Sequence, residues 1–136
     1  MSLPPYEEVD HTADWALLVR GRDMSDLCLV AASAMLAACG ARPAKGRRAE
    51  RVLELHAEDR EGLLVSWLEE ILFSLETRRR VPTRIDVTVS PQLELLAHWT
   101  DAPLGEVEKP IKAVTYNDLS VREADGGLEA TIVFDV

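Results

Sequence analysis

Apolar and polar positions alternate, then repeat at helical spacing, then alternate again along this chain. "YEEV" (Tyr6–Val9) and "WALLVRG" (Trp15–Gly21) read as two extended segments around the polar break Asp10-His11-Thr12-Ala13-Asp14. Arg22-Asp23-Met24-Ser25 offers turn and cap residues. After it Leu27, Val30, Ala31, Ala34, Met35 and Ala38 recur with the period of a helix, and Gly40 is its stop. "GARPAKGRR" reads as a loop, and "RVLELHA" as a strand with Val52, Glu54 and His56 on one face and Leu53, Leu55 and Ala57 on the other. Asp59 is placed to cap a second helix, whose apolar stripe is Leu64, Trp67, Leu68, Ile71, Leu72 and Leu75. Trp67 on that stripe is a core residue rather than a ligand-binding one.

Pro82 is expected to close this helical unit. "RIDVTVS" (84–90) and "LELLAHWT" (93–100) follow as strands, and "DAPLGEVEKP" (101–110) as a surface loop. "AVTYNDLSVRE" (113–123) and "LEATIVFDV" (128–136) read as a final pair of strands around Ala124-Asp125-Gly126-Gly127, a glycine-rich hairpin turn. No internal repeat or low-complexity tract appears. The order β-β-α-β-α followed by four strands predicts an α+β fold. It is a two-layer sandwich with two helices packed on one side of a mostly antiparallel sheet, within one domain spanning residues 1–136.

Composition narrows the class without naming a function. A chain of 136 residues, 47% hydrophobic and 29% charged, can bury a real core. Its apolar runs are too short for a membrane span, and "MSLPPYEEVD" lacks the basic and apolar regions of a signal peptide, so the cytoplasm is the expected location. A net charge of −9 argues against a generally basic nucleic-acid binder. The charge is uneven, however. Arg42, Lys45, Arg47, Arg48 and Arg51 crowd one segment, and Arg78, Arg79, Arg80 and Arg84 another. Either run could touch RNA or an acidic partner, but solvated loops and a helix C-terminus account for them more simply.

Catalytic signatures are sparse. Cys28 and Cys39 fall on or beside one helix, which disfavours a disulfide, and no CxxC or zinc-type spacing occurs. No phosphate-cradling glycine loop or nucleophile elbow is present. Tyr6 and Tyr116 do not make an RNA-stacking platform in a chain with 5% aromatic residues. The polar residues at strand ends are more informative. Asp14 lies at the first break, and Asp135 is followed at once by the chain-terminal carboxylate of Val136. Together these oxygens suit a hard cation such as calcium or magnesium. By spacing alone the plainer reading holds: Asp14 bonds turn amides and Asp135 faces water.

"YEEVDHTADWALLVRG", "AEDREGLLVSWLEEILF", "IKAVTYNDLSV" and the final "IVFDV" resemble the archease family in order, spacing and chain length, over essentially the whole chain. The resemblance implies a protein cofactor rather than an enzyme. Such a protein assists an RtcB-type RNA ligase by promoting ligase guanylylation and multiple turnover in RNA splicing or repair, meeting RNA only through the ligase. It further implies a metal site at Asp14, Asp135 and Val136, and a role in activation for Lys112. His11 is a candidate outer-sphere hydrogen-bond anchor, or merely structural. Two positions depart from the family pattern: Trp15 stands where a smaller aliphatic residue is usual, and Asn117 where a histidine often follows the tyrosine. Asn117 removes any titrating imidazole there. Two other readings stay open, a small metal-dependent hydrolase using Asp14 and Asp135 to activate water, and a chaperone-like interaction module whose metal is structural.

Overall fold

A computed structural model describes residues 4–9 and 15–136. The elements run β1 (Tyr6–Val9), β2 (Trp15–Gly21), α1 (Met24–Cys39), β3 (Arg42–Pro43), β4 (Ala49–His56), α2 (Arg60–Phe73), β5 (Arg80–Val89), β6 (Glu94–Glu106), β7 (Ala113–Thr115), β8 (Arg122–Ala124) and β9 (Gly127–Asp135). The class is α+β with antiparallel pairing throughout, as the pattern requires. Hydrogen bonding divides the strands into two sheets. One has the order β1-β2-β9-β7, with β8 also on β9; the other is built on β6, which pairs with β3, β4 and β5.

Local chemistry sets both helices. The Asp23 side chain accepts from the Asp26 amide at the start of α1, and Asp59 does the same for Gly62 at the start of α2. Gly40 ends α1 at φ 68°, a left-handed conformation that glycine adopts without strain. All six residues of the predicted α2 stripe are buried, and so are Leu63 and Val65 beside it. The burial is wide because each helix meets both sheets: α1 packs on β2 and β5, and α2 on β7 and β4. Trp67 joins three elements. Its indole donates to the Cys28 carbonyl of α1 at 2.8 Å, and its ring meets Trp99 of β6 edge-on at 5.9 Å. No helix among the described residues is long and apolar enough to cross a membrane.

Four expectations need correction. Residues 101–110 are not simply a surface loop, because β6 continues to Glu106 and Asp101 is wholly buried. Asp101 keeps the inward parity of Leu95, Ala97 and Trp99. Its carboxylate meets Arg80 Nε at 2.7 Å and Arg51 Nε at 3.2 Å, so two guanidinium groups compensate the buried charge. Pro82 does not close the helical unit: α2 runs on through π-helical turns over Ser74–Arg78, Arg79 reverses the chain at φ 58°, and Pro82 lies inside β5. The segment 113–123 is two short strands at opposite ends of β9, with a reversal through Asp118 at φ 55° between them. Finally, the loop 40–48 contains the short strand β3. The hairpin turn is where the sequence puts it, with Asp125 and Gly126 at φ 50° and 80°, both left-handed as such a turn demands.

If the α2 stripe carries the core, Leu68→Ala should destabilise the protein by about 2–5 kcal/mol. Urea denaturation checks this, and a loss of a few tenths would mean the stripe is not buried in solution.

Candidate functional site at the chain end

The sequence-derived candidates divide into two groups. Asp14 and His11 lie outside the described residues. Asp135, Val136 and Lys112 are described, and all three are exposed at one corner of the first sheet.

Phe134 builds this corner. It is fully buried and sits between Trp15 of β2 and Val114 of β7 in the strand register. Alternation along β9 points Ala130, Ile132 and Phe134 into the core, so Asp135 emerges on the other side. The rings of Trp15 and Phe134 lie 5.7 Å apart at 45°. Ala113 is the register partner of Asp135, and the Lys112 amide donates to the Asp135 carbonyl at 2.7 Å. That bond holds the backbones of Lys112 and Asp135 side by side while both side chains remain accessible. Asp14 is the chain neighbour of Trp15, and Asp135 is the chain neighbour of Trp15's register partner Phe134.

A residue not singled out from the sequence also belongs here. Lys109 places its ammonium 4.1 Å from the centre of the Trp15 ring, and its amide donates to the Cys39 carbonyl at 2.9 Å. The contact is a cation–π interaction, worth on the order of 0.5–2 kcal/mol. Lys109 lies within 101–110, the segment whose sequence pattern predicts a surface loop. Its spacing of three from Lys112 was the only signal available. Trp15 thus has a physical role in this chain: it fills the core against Phe134 and seats a cation on its face. Asn117 is exposed, and its amide donates to Thr115 Oγ1 at 3.2 Å.

The donor chemistry fits a hard cation in kind. Asp135 has no ion-pair partner among the described residues, and Val136 follows it directly. One carboxylate with neighbouring main-chain oxygens is an incomplete shell for calcium or magnesium, and no cluster of three His, Cys, Asp or Glu residues suited to a metal occurs among the described residues. Other acidic and nucleophilic groups are poorly placed. Asp101 is occupied by its two arginines. Burial pushes the Cys28 thiol up to about 12 and raises Cys39 as well, so neither supplies a thiolate near neutrality. His98 is on the exposed face of the second sheet, 3.7 Å from Glu50.

Residues 6–136 match the model of a family described as the archease protein family (MTH1598/TM1083). The chain is 33% identical over 135 residues to the protein archease of Thermoplasma acidophilum, covering 96% of this chain and 93% of that one. It is 31% identical over 141 residues to the protein archease of Methanosarcina mazei, covering 96% and 95%. Among solved structures, an archease from Thermotoga maritima described as a possible chaperone superposes with a TM-score of 0.71 at 23% identity, covering 100% of this chain and 98% of that one. Protein 1598 of Methanobacterium thermoautotrophicum superposes with a TM-score of 0.67 at 26% identity, covering 97% and 99%.

The inward and outward parity of β9 has a direct test. Phe134→Ala should cost about 3–5 kcal/mol, whereas Asp135→Ala should change stability by no more than about 0.5 kcal/mol in metal-free buffer. Similar losses from both in denaturant titrations would contradict the geometry of this corner.

Proposed function

The chain belongs to the archease family, and from that premise we propose that it is a non-catalytic activator of an RtcB-type RNA ligase, acting in the cytoplasm during RNA splicing or repair. The observation that carries the reading is the pairing of Lys112 with Asp135 at the chain end, where both side chains are exposed and their backbones share a hydrogen bond. A docking partner would meet an ammonium and two carboxylates at once. Such a mixed constellation suits alignment against charged groups of another protein, and complementary charge sets orientation and association rate.

In this reading Asp135, the Val136 carboxylate and Asp14 would hold a divalent cation, calcium or magnesium. When bound, the cation supplies positive charge and open coordination positions at the docking corner. The chain's own residues do the remaining work. Phe134 and Trp15 fix the corner from beneath, β7 sets the position of Lys112, and Lys112 offers its ammonium to an acidic or phosphate group of the ligase. Promotion of ligase guanylylation, and of repeated turnover, follows if that alignment favours the productive arrangement of the ligase centre.

The test is a ligation time course with RNA in excess over ligase, with a parallel measurement of GTP-dependent ligase guanylylation. Native protein should extend ligation beyond one turnover and accelerate guanylylation, while alone it should process neither nucleotide nor phosphoester. Lys112→Ala should reduce activation by tenfold or more, on the order of 1.4 kcal/mol, with an unchanged melting temperature. Hydrolysis by the protein alone would favour the metal-dependent hydrolase. Unchanged guanylylation and turnover in its presence would remove the activator role.

A further inference from the structure

The two arginine-rich segments, far apart in the chain, meet in space. The loop 44–48 lies across the start of β5: the Ala44 amide donates to the Pro103 carbonyl at 2.7 Å, and Arg80 Nη2 donates to the Arg47 carbonyl at 2.6 Å. Arg48 Nη1 reaches Thr83 Oγ1 at 3.4 Å. Thr83 sits at the register shift between Pro82 and Arg84, so this contact carries the loop up to Arg84. Lys45, Arg47, Arg48 and Arg84 are thereby gathered at one end of the second sheet, all exposed.

The members of this group differ in their commitments. Arg51 and Arg80 are consumed by the buried Asp101, and Arg42 pairs with Glu106 and Glu108. Lys45, Arg47, Arg48 and Arg84 have no carboxylate partner among the described residues. Four uncompensated cations on a chain of net charge −9 are a local reversal of sign. The buried ion cluster also stiffens their platform, because Arg80 joins Asp101 to the loop backbone at Arg47.

We propose that this basic corner contacts the phosphate backbone of RNA directly. Guanidinium forks match phosphate oxygens in pairs, and they lose less hydration than an ammonium does on contact. A protein partner is the weaker fit, since protein interfaces centre on apolar residues with charges at the rim. None of the large exposed apolar residues falls within 42–48 or 78–84. The acidic remainder of the surface would repel the same polyanion and confine it to this corner. The choice of RNA among phosphate polyanions rests on the activator reading, whereas the contact itself requires neither ligase nor metal.

Binding of a mixed-sequence, single-stranded 20-nucleotide RNA to the full chain alone, at several salt concentrations, tests the proposal. A polyglutamate peptide of equal charge serves as the competing probe. The native protein should bind RNA with a dissociation constant of roughly 1–100 µM, weakening steeply with salt. The double variant Arg47→Ser/Arg48→Ser should lose at least about tenfold in affinity, and its log–log salt slope should fall by about 0.7 for each arginine removed. Arg22→Ser/Arg122→Ser changes the net charge equally at residues paired with Asp26 and Glu129, and should bind as the native protein does. Equal losses in the two doubles, or no binding by the native protein, would overturn the proposal. Polyglutamate binding as tight as RNA binding would overturn it in favour of an acidic protein partner. Unchanged thermal melts of both doubles confirm that each is folded.

Discussion

The antiparallel ladder between β2 and β9 is the constraint on which the rest of this molecule depends. It joins Trp15 to Phe134 and continues to Gly21 opposite Leu128, bringing the beginning of the chain against its end. The core pairs Trp15–Phe134, Leu17–Ile132 and Val19–Ala130 all lie on one face, so a one-residue slip would turn every one of them outward. With that register fixed, β1 adds on one side, β7 and β8 add on the other, and α1 covers the apolar face. The exposure of Asp135 follows from the same register, because it comes next after the inward-facing Phe134 and points to the opposite face.

The second sheet solves a different problem. Its central strand, β6, carries a carboxylate onto the inward face at Asp101, which would be costly if unpaired. Arg51 from β4 and Arg80 from β5 supply the compensation from both flanks. This explains why a long strand can pass through a sequence with polar, proline and glycine residues. It also divides the basic residues into two populations. Those drawn to Asp101 are structural, while their chain neighbours Arg47, Arg48 and Arg84 are left exposed.

Much of the architecture was legible because it rests on local signals: the α2 stripe, the Asp59 cap, the alternation of β4 and β9, and the Asp125-Gly126 turn all act within a few residues. What the sequence concealed was non-local. The continuation of β6 depends on arginines 50 and 21 residues away from Asp101, and the wide burial of both helices depends on each meeting two sheets. The split of 113–123 into β7 and β8 reflects the left-handed Asp118, whose side chain gives little warning of it. The candidate site comes from resemblance rather than from spacing. Two exposed carboxylates at a chain end and a distant lysine carry no common pattern until β7 lies beside β9. Lys109 belongs to the same class, since only the folded chain puts it over Trp15.

In the proposed function the end of the chain is itself a functional group. Calorimetric titration of calcium and magnesium into four proteins addresses it most directly: the native chain, Asp14→Ala, Asp135→Ala, and a chain extended beyond Val136 so that the terminal carboxylate becomes a neutral amide. The native chain should bind most tightly, the extension should weaken binding, and each aspartate removal should weaken it further, because hard cations depend on ligand charge. Metal should also raise the melting temperature of the native protein, since the unfolded chain has no assembled site. Equal affinity in all four proteins would contradict a shared site at the chain end.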